Sequence, residues 1–288
     1  MDLPKRLLGR RTRPQPGAPT ARSTDWIHQE IQPPVCPPGW QTGPPDFVGV
    51  GAQKAGTTWW FRLIAAHPDV HQDPDQRPEL HFFDRFHARW PTAQDIERYH
   101  ALFPRPTGGI AGEKTPGYMS DYWLPRMLRE AAPDTRIIVL LRDPIERYRS
   151  ARTHGLLSGW PDDRRTESDT FHKGLYVPQL QRLADVFSAA QTLTLQYERC
   201  VADPAGQLAR TYRFLGLREH ALNDEELRRP RNETRGTKAT MEPERRAVLR
   251  DLYEPDVRAL TGLVPDLDVS LWPNFSDLAG TWRGPGGD

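Results

Sequence analysis

Residues 46–58 read DFVGVGAQKAGTT, and this stretch decides the fold of the 288-residue chain. An apolar strand leads into a turn that is framed by Gly51 and Gly56 and contains Lys54, and a helix is expected behind it. Glycine lets the backbone turn tightly, so that the amides of the turn and of the helix N-terminus face an anion. The stretch therefore predicts a cradle for phosphate or sulfate, while an ordinary strand-to-helix turn is the alternative.

The spacing of the two glycines matches a phosphate-binding loop, but the residues after the second glycine differ from that pattern. A nucleoside triphosphatase has Lys followed by Ser or Thr at this point, to reach the outer phosphates and the magnesium ion. This chain has Thr57 and Thr58 there, and its cation lies inside the turn. The difference argues against a nucleotide kinase that uses magnesium-ATP, which stays open as an alternative.

A second apolar run, RIIVLL at 136–141, has the composition of a central strand that is buried on both faces. Arg142, Asp143 and Pro144 follow it, and Pro144 suits the first turn of a helix. From there Arg142 and Ser150 are both placed to bind one terminal phosphate, the first through its guanidinium and the second through its hydroxyl. A solvated helix rich in arginine is the alternative interpretation.

Strands and helices alternate along the chain. Strands are predicted near 46–51, 110–113, 136–141 and 192–197, and helices near 57–67, 121–131, 176–190, 204–215 and 243–261, with another beginning at 144. This alternation predicts an α/β fold with a central parallel sheet flanked by helices on both faces. We expect a Pro/Arg-rich N-terminal extension at 1–45, one domain at 46–270, a C-terminal tail at 271–288, and a long surface loop at 155–173.

Composition argues against several classes of protein. The chain has 39 basic and 38 acidic residues, so its formal charge of +1 gives no electrostatic case for nucleic acid or an anionic membrane. Cys36 and Cys200 are its only cysteines, and the spacing of its histidines matches no established ligand set, so no essential metal is expected. No apolar stretch is long enough for a secretion signal or a membrane span, so we expect a cytoplasmic protein. The oligomeric state is left open.

Four stretches occur in a fixed order and together are far more specific than any one of them. They are VGAQKAGTT (50–58), ELHFFD (79–84), GEKTPGY (112–118) and LRDPIERYRS (141–150). In these stretches the chain resembles the sulfotransferases that use 3'-phosphoadenosine-5'-phosphosulfate, especially their heparan sulfate and bacterial branch. The resemblance implies a P-loop-like three-layer sandwich and the transfer of a sulfuryl group to a hydroxyl of a small molecule, a sugar or a lipid.

The resemblance also implies roles for the residues that bind the donor. Lys54 would assist the bridging oxygen and the leaving phosphate, and Arg142 and Ser150 would bind the nucleotide. The 5'-phosphate would be held by the backbone amides and hydroxyls of Ala55, Gly56, Thr57 and Thr58. A solvent-facing loop lysine is the alternative for Lys54.

The catalytic group implied by the resemblance is acidic. Glu79 matches the family's general base, and Lys114 matches the lysine beside the transferred group. If 79–84 is extended, His81 lies on the same face as Glu79 and orients it, although His81 is itself a candidate base. The alternatives are a surface carboxylate for Glu79, a half-buried histidine for His81, and for Lys114 a simple ion pair with Glu113 or another acid.

Later residues match the family less well. Arg235, Gly236 and Lys238 resemble the basic loop over the nucleotide's 3'-phosphate, but the order here is Arg-Gly-Thr-Lys rather than Lys-Gly-Arg. Gln53 stands where several heparan-modifying relatives have arginine, and their paired late cysteines are absent, so both departures weaken any claim that the acceptor is heparan sulfate. Tyr118 and Trp59 or Trp60 line either an acceptor pocket or the core. A non-catalytic nucleotide-binding module is a further alternative.

Overall fold

The computed structural model of the protein describes residues 30–77, 79–86, 89–228 and 239–279. Its main sheet has five strands, with every neighbouring pair parallel. In spatial order these are β3 (Val70–His71), β5 (Ile110–Lys114), β2 (Phe47–Gly51), β6 (Arg136–Leu141) and β7 (Thr192–Gln196). A small antiparallel pair is formed by β1 (Trp40–Gln41) and β4 (Arg105–Pro106).

Helices connect these strands. In chain order they are α1 (Thr57–Ala65), α2 (Ala93–His100), α3 (Leu124–Ala131), α4 (Pro144–Leu157), α5 (Arg164–His172), α6 (Val177–Ala184), α7 (Tyr197–Ala202), α8 (Pro204–Phe214), α9 (Asp224–Arg228) and α10 (Pro243–Leu263). Within the described ranges, no helix combines the length and the apolar character needed to cross a bilayer.

The alternation of side chains along β6 divides the interior into two layers. Ile137 and Val139 pack in the cluster that includes residues of α3, α6 and α10, whereas Ile138 and Leu140 pack in the cluster that includes residues of α1 and α8. Successive residues of a strand point to opposite faces, so a strand that is apolar throughout needs helices on both sides. The predicted α/β sandwich with a central parallel sheet is therefore confirmed.

The topology brings three loops together. Since β5, β2 and β6 are adjacent and parallel, their carboxyl ends lie at the same edge of the sheet. The segments that follow them begin at Ala52, Thr115 and Arg142. In open α/β sheets, ligands bind at this edge.

Some predicted boundaries were wrong. The expected loop at 155–173 instead contains the end of α4 and the whole of α5, which begins there because the Asp163 carboxylate accepts a hydrogen bond from the Thr166 amide. The helix predicted at 121–131 starts at Leu124, and the one predicted at 176–190 ends at Ala184. The core also extends beyond residue 270, because Trp272 and Phe275 are fully buried in it.

Candidate active site

Residues 52–58 follow β2 and run into α1, and we call them the glycine loop. Glycine stands immediately before this loop, at Gly51, and inside it, at Gly56. A Cβ atom on Gly51 would lie 1.9 Å from Met119 Sδ, so a side chain there would force Met119 to move. Gly56 has a φ of 88° and caps α1, and its Cβ would lie 2.6 Å from the ring of Tyr197. Gly51 thus allows close approach to Met119, and Gly56 supplies the positive φ at the N-terminus of α1, where free backbone amides can face an anion.

Lys54 lies at the tip of the glycine loop in the left-handed region, with a φ of 66°. Its carbonyl accepts a hydrogen bond of 3.2 Å from Arg142 Nη1, and the Arg142 guanidinium lies 4.8 Å from the centre of the Tyr197 ring. Arg142 therefore connects the end of β6 to the glycine loop. This contact is possible because β2 and β6 end at the same edge of the sheet.

The charges around Lys54 are mostly positive. Burial lowers the pKa of Lys54, the Glu79 carboxylate raises it, and the positive charges of Arg142 and Lys114 lower it further. The first turn of α1 contains no acidic residue. Three cations thus share the electrostatic influence of one carboxylate, and this arrangement favours a ligand that carries several negative charges.

Lys114 ends β5 with its side chain only 2% exposed and forms an ion pair with Glu79. Its Nζ donates hydrogen bonds of 2.7 Å to Glu79 Oε1 and 2.8 Å to Thr58 Oγ1. The acid that pairs with Lys114 is Glu79 rather than Glu113, because successive side chains of a strand point to opposite faces. Lys114 thus connects the glycine loop to Glu79.

Residues 79–86, the acidic turn, carry the next part of the site. His81 Nε2 lies 3.2 Å from Glu79 Oε2, and His81 Nδ1 lies 2.8 Å from Asp84 Oδ2. The stretch 79–84 is not extended, because His81 has a φ of 52° and a 3₁₀ turn runs from Phe83 to Phe86. The predicted contact between Glu79 and His81 nevertheless forms, through a turn.

The acidic turn shifts the pKa values of its members in opposite directions. Burial raises the pKa of Glu79, but the hydrogen bond from His81 and the charge and hydrogen bond of Lys114 outweigh it and lower that pKa to about 2. Burial lowers the pKa of His81, but the hydrogen bonds to Asp84 and Glu79 raise it to about 9. At neutral pH the pair is therefore a carboxylate and an imidazolium.

A second carboxyl group lies behind the acidic turn. Glu113 is 3% exposed and accepts hydrogen bonds of 2.7 Å from the hydroxyls of Tyr99 and Thr115. Burial raises its pKa to about 7, against the influence of these two hydrogen bonds. The Thr115 hydroxyl also accepts a 3.3 Å hydrogen bond from the backbone amide of His81.

Ser150 lies on α4, whose N-terminus is capped by the Asp143 carboxylate through the amides of Ile145 and Glu146. Ser150 is half-buried, and its hydroxyl makes no hydrogen bond to another described residue. One turn further along α4 lies His154, which the sequence reasoning missed. Burial and the charge of Lys54 lower the pKa of His154, and Glu79 opposes them. The spacing of four residues from Ser150 on a helix was the available signal.

The remaining predicted residues are less central or lie outside the described residues. Arg235, Gly236 and Lys238 fall between 229 and 238, which the structure does not describe. The chain is described again at Ala239, whose amide donates to Thr153 Oγ1 and whose carbonyl accepts from Arg149 Nε on α4.

The aromatic candidates belong to the packing. Trp60 and Tyr118 are buried, and Trp59 donates a hydrogen bond to the carbonyl of Leu227. Across the described ranges, no group of three or more His, Cys, Asp or Glu side chains is arranged to hold a metal ion.

Comparison with known proteins identifies the class that this fold and site define. The family model of the sulfotransferase domain matches residues 44–246, and the chain belongs to this family. All four motifs lie within the matched range.

The chain is similar to heparan sulfate 3-O-sulfotransferases and, at lower identity, to heparan sulfate N-deacetylase/N-sulfotransferases. Human heparan sulfate glucosamine 3-O-sulfotransferase 6 is 34% identical over 188 residues, which are 60% of this chain and 53% of the relative. Mouse bifunctional heparan sulfate N-deacetylase/N-sulfotransferase 4 is 27% identical over 203 residues, 61% of this chain and 23% of the relative. The chain thus spans about half the length of the first of these relatives and about a quarter of the second.

A sulfotransferase from Alicyclobacillus acidocaldarius is a structural neighbour with a TM-score of 0.61 and 25% identity. The match covers 79% of this chain and 98% of the neighbour. The P-loop-like fold expected from the motifs is confirmed by this likeness.

Proposed function

We propose that the protein transfers a sulfuryl group from 3'-phosphoadenosine-5'-phosphosulfate to a hydroxyl of an acceptor. The observation that carries this proposal is the 2.7 Å ion pair between Lys114 and Glu79, in which Lys114 also holds Thr58 of the glycine loop. It joins a carboxylate that can accept a proton to a loop suited to binding a phosphosulfate. Such a site acts by positioning and by stabilising charge.

The donor is assigned to the glycine loop. The amides from Ala55 to Thr58 and the hydroxyls of Thr57 and Thr58 would hold the 5'-phosphate of the donor, which is supported by their position at the N-terminus of α1 and by the lack of acidic residues in its first turn. Arg142 and Ser150 would bind the nucleotide phosphate, with Arg235, Gly236 or Lys238 as further contacts. No metal is needed in this proposal, because Lys54, Arg142 and Lys114 supply the positive charge.

Glu79 is the better candidate for the general base. His81 has a pKa raised to about 9 and therefore already carries its proton at neutral pH. In the reaction, the acceptor hydroxyl gives its proton to Glu79, its oxygen forms a bond to sulfur, and the bond from sulfur to the phosphate oxygen breaks. Lys54 stabilises the charge on the leaving phosphate, and Lys114 stabilises the sulfuryl oxygens.

The pKa of Glu79 is about 2 because its carboxylate interacts with two cations, His81 and Lys114. A base works best when its pKa approaches the operating pH. As the sulfuryl oxygens attract Lys114 away from Glu79, the carboxylate loses a stabilising charge and its basicity increases. The ion pair thus couples donor binding to the strength of the base.

An oxygen acceptor is favoured over a nitrogen acceptor. Relatives that carry 3-O-sulfotransferase in their names are 33–34% identical to this chain, whereas the N-deacetylase/N-sulfotransferases are 26–27% identical. A sugar hydroxyl is therefore the first choice for a screen, followed by small molecules and lipids.

The cytoplasmic location and bacterial origin stay predictions from the sequence.

Titration calorimetry with 3'-phosphoadenosine-5'-phosphate, without metal, tests the donor assignment. We expect this ligand to bind and adenosine-5'-phosphosulfate, which lacks the 3'-phosphate, to bind more weakly. Arg142→Ala should weaken binding, while Arg136→Ala is a matched control at the opposite end of β6, where Arg136 donates to the Leu215 carbonyl. A preference for magnesium-ATP would instead favour the kinase.

A screen of hydroxylated acceptors with the sulfuryl donor then tests catalysis. Transfer in the presence of EDTA would support the metal-free site. Donor binding without any transfer, together with no effect of Glu79→Gln on the protein's cellular role, would favour the non-catalytic module.

A further inference from the structure

The backbone at His81 adopts a conformation that a residue with a side chain rarely takes. Its φ of 52° lies in the left-handed region, which costs on the order of 1 kcal/mol for such a residue. This conformation lets the ring contact both Glu79 and Asp84. Something in the surroundings must therefore hold it.

Two buried hydroxyls hold the backbone of the acidic turn. Thr115 Oγ1 accepts from the His81 amide at 3.3 Å, and the Tyr118 hydroxyl accepts from the Phe83 amide at 3.4 Å. Thr115 is itself fixed to the sheet, because its amide donates to the Gly49 carbonyl at 2.9 Å. The acidic turn is thus attached to the end of the central sheet through Thr115.

The direction of the Thr115 hydroxyl is set by Glu113. A hydroxyl has one proton, and that of Thr115 is donated to Glu113 Oε2, so its lone pairs face the His81 amide. Tyr99 donates to the other oxygen of Glu113, and both Glu113 and Thr115 are buried. Because both side chains are buried behind the acidic turn, we assign neither of them a direct contact with the donor or the acceptor.

We propose that Thr115 and Glu113 are positioning residues that hold the backbone of His81 so that its imidazolium reaches Glu79. This inference rests on the proposed function for its effect on catalysis, but its effect on His81 is independent of that function. It predicts that the Thr115 hydroxyl is needed for the acidic turn to keep its geometry.

The charge of Glu113 makes this support sensitive to pH. The groups that face Glu113 are Tyr99, Thr115 and Tyr118, with His81 and Asp84 acting through their charges. The ionised carboxylate accepts both hydrogen bonds, whereas in the protonated form one oxygen becomes a donor, so one of the two hydrogen bonds has to reverse and the hold on the Thr115 hydroxyl weakens. Because the pKa of Glu113 is raised to about 7, this change in protonation occurs near neutral pH.

The test compares Thr115→Val, which removes the hydroxyl at nearly constant volume, with Thr115→Ser, which keeps it. The full chain is labelled for imidazole NMR, and His81→Gln assigns the His81 signal among the nine histidines. Thr211→Val is the matched control, because Thr211 is equally buried and accepts a hydrogen bond from Trp60 on the opposite face of the sheet.

We expect the pKa of His81 to fall from about 9 toward its ordinary value in Thr115→Val and to stay near 9 in the Ser and Thr211→Val variants. With an acceptor from the screen, kcat of Thr115→Val should fall about tenfold, while binding of 3'-phosphoadenosine-5'-phosphate is unchanged. A wild-type His81 pKa in a folded Thr115→Val protein would overturn the proposal.

Glu113→Gln provides the second test and applies even if Thr115→Val does not fold. The wild-type kcat should decrease as the pH falls from 8 to 6, and the variant should lose that dependence. An unchanged pH profile would overturn the role of Glu113. If no acceptor is ever sulfated but the His81 pKa still moves in Thr115→Val or Glu113→Gln, the proposed function fails and the positioning role stands.

Discussion

The glycine loop and the acidic turn lie side by side, but they obtain their shapes in different ways. The glycine loop turns at its own glycine, because Gly56 adopts a positive φ that glycine tolerates without strain. The acidic turn is shaped by contacts distant in sequence, through Thr115, Lys114 and Tyr118. A local shape can be read from a motif, whereas a shape imposed from a distance requires the fold.

The difference extends to electrostatics. Around the glycine loop, Lys54, Arg142 and Lys114 share one carboxylate, so positive charge is available for a ligand. In the acidic turn, Glu79, His81 and Asp84 are already linked by hydrogen bonds of 2.8–3.2 Å. The first region is arranged for binding and the second for preorganised proton transfer.

The largest expected effect comes from the acidic turn. Glu79→Gln should lower turnover by about 10² to 10⁴ while binding of 3'-phosphoadenosine-5'-phosphate stays nearly unchanged, because the base is lost and the glycine loop is not. Steady-state kinetics and calorimetry measure the two quantities. Glu97→Gln, on the exposed face of α2, is the control. Full activity of Glu79→Gln on a verified acceptor would refute the assignment of the base.

The next effect comes from the glycine loop. Lys54→Met keeps the length of the side chain and removes its charge, and it should cost roughly 3 kcal/mol of transition-state stabilisation, about a hundredfold in kcat/KM. Lys173→Met, which removes only a surface ion pair with Asp169, is the control. Equal kcat/KM values for the two variants would show that Lys54 does not stabilise the leaving phosphate.

A smaller effect separates backbone conformation from close packing. Gly56→Ala and Gly108→Ala both place a Cβ at positive φ, 88° and 85°, but only Gly56 faces a ring, that of Tyr197. Gly108→Ala should lose about 1 kcal/mol of stability and no donor affinity. Gly56→Ala should lose more stability and also donor affinity, because Tyr197 supports Arg142. Denaturant unfolding and calorimetry compare them, and equal losses would show that packing against Tyr197 adds nothing to the conformational requirement at Gly56.

The last expected effect is the dependence of stability on pH. His81 has a folded-state pKa raised to about 9, so its contribution is fully present below its unfolded pKa near 6.5 and is lost as the pH rises through 9. The difference in unfolding free energy between wild type and His81→Gln should therefore shrink from pH 6 to pH 9.5. A difference that grows over this range would contradict the raised pKa.

The sequence predicted the parts of the molecule that depend on local pattern. The apolar strands, the glycine loop and the helix after Pro144 were all recognised, because alternation and glycine spacing report short-range geometry. Four ordered motifs also pointed to the family to which the chain belongs.

The remaining features depend on contacts between distant residues. The left-handed conformation of His81 arises from Thr115, 34 positions away, so no periodicity in 79–84 could predict it. The helix at 164–172 was missed because its buried face is made of Thr166 and Thr170 rather than apolar residues. His154 was missed because its relation to Lys54 and Glu79 exists only in the folded chain.

The ion pair between Lys114 and Glu79 has a consequence for how this site can evolve. Lys114 is 2% exposed, and losing the Glu79 carboxylate, which is 36% exposed, would leave the lysine charge buried without that partner and would destabilise the fold. A single substitution at either position therefore penalises folding as well as chemistry. Lineages that abandon sulfuryl transfer are expected to replace both residues together, so that pseudoenzymes of this type carry either the intact pair or two neutral side chains.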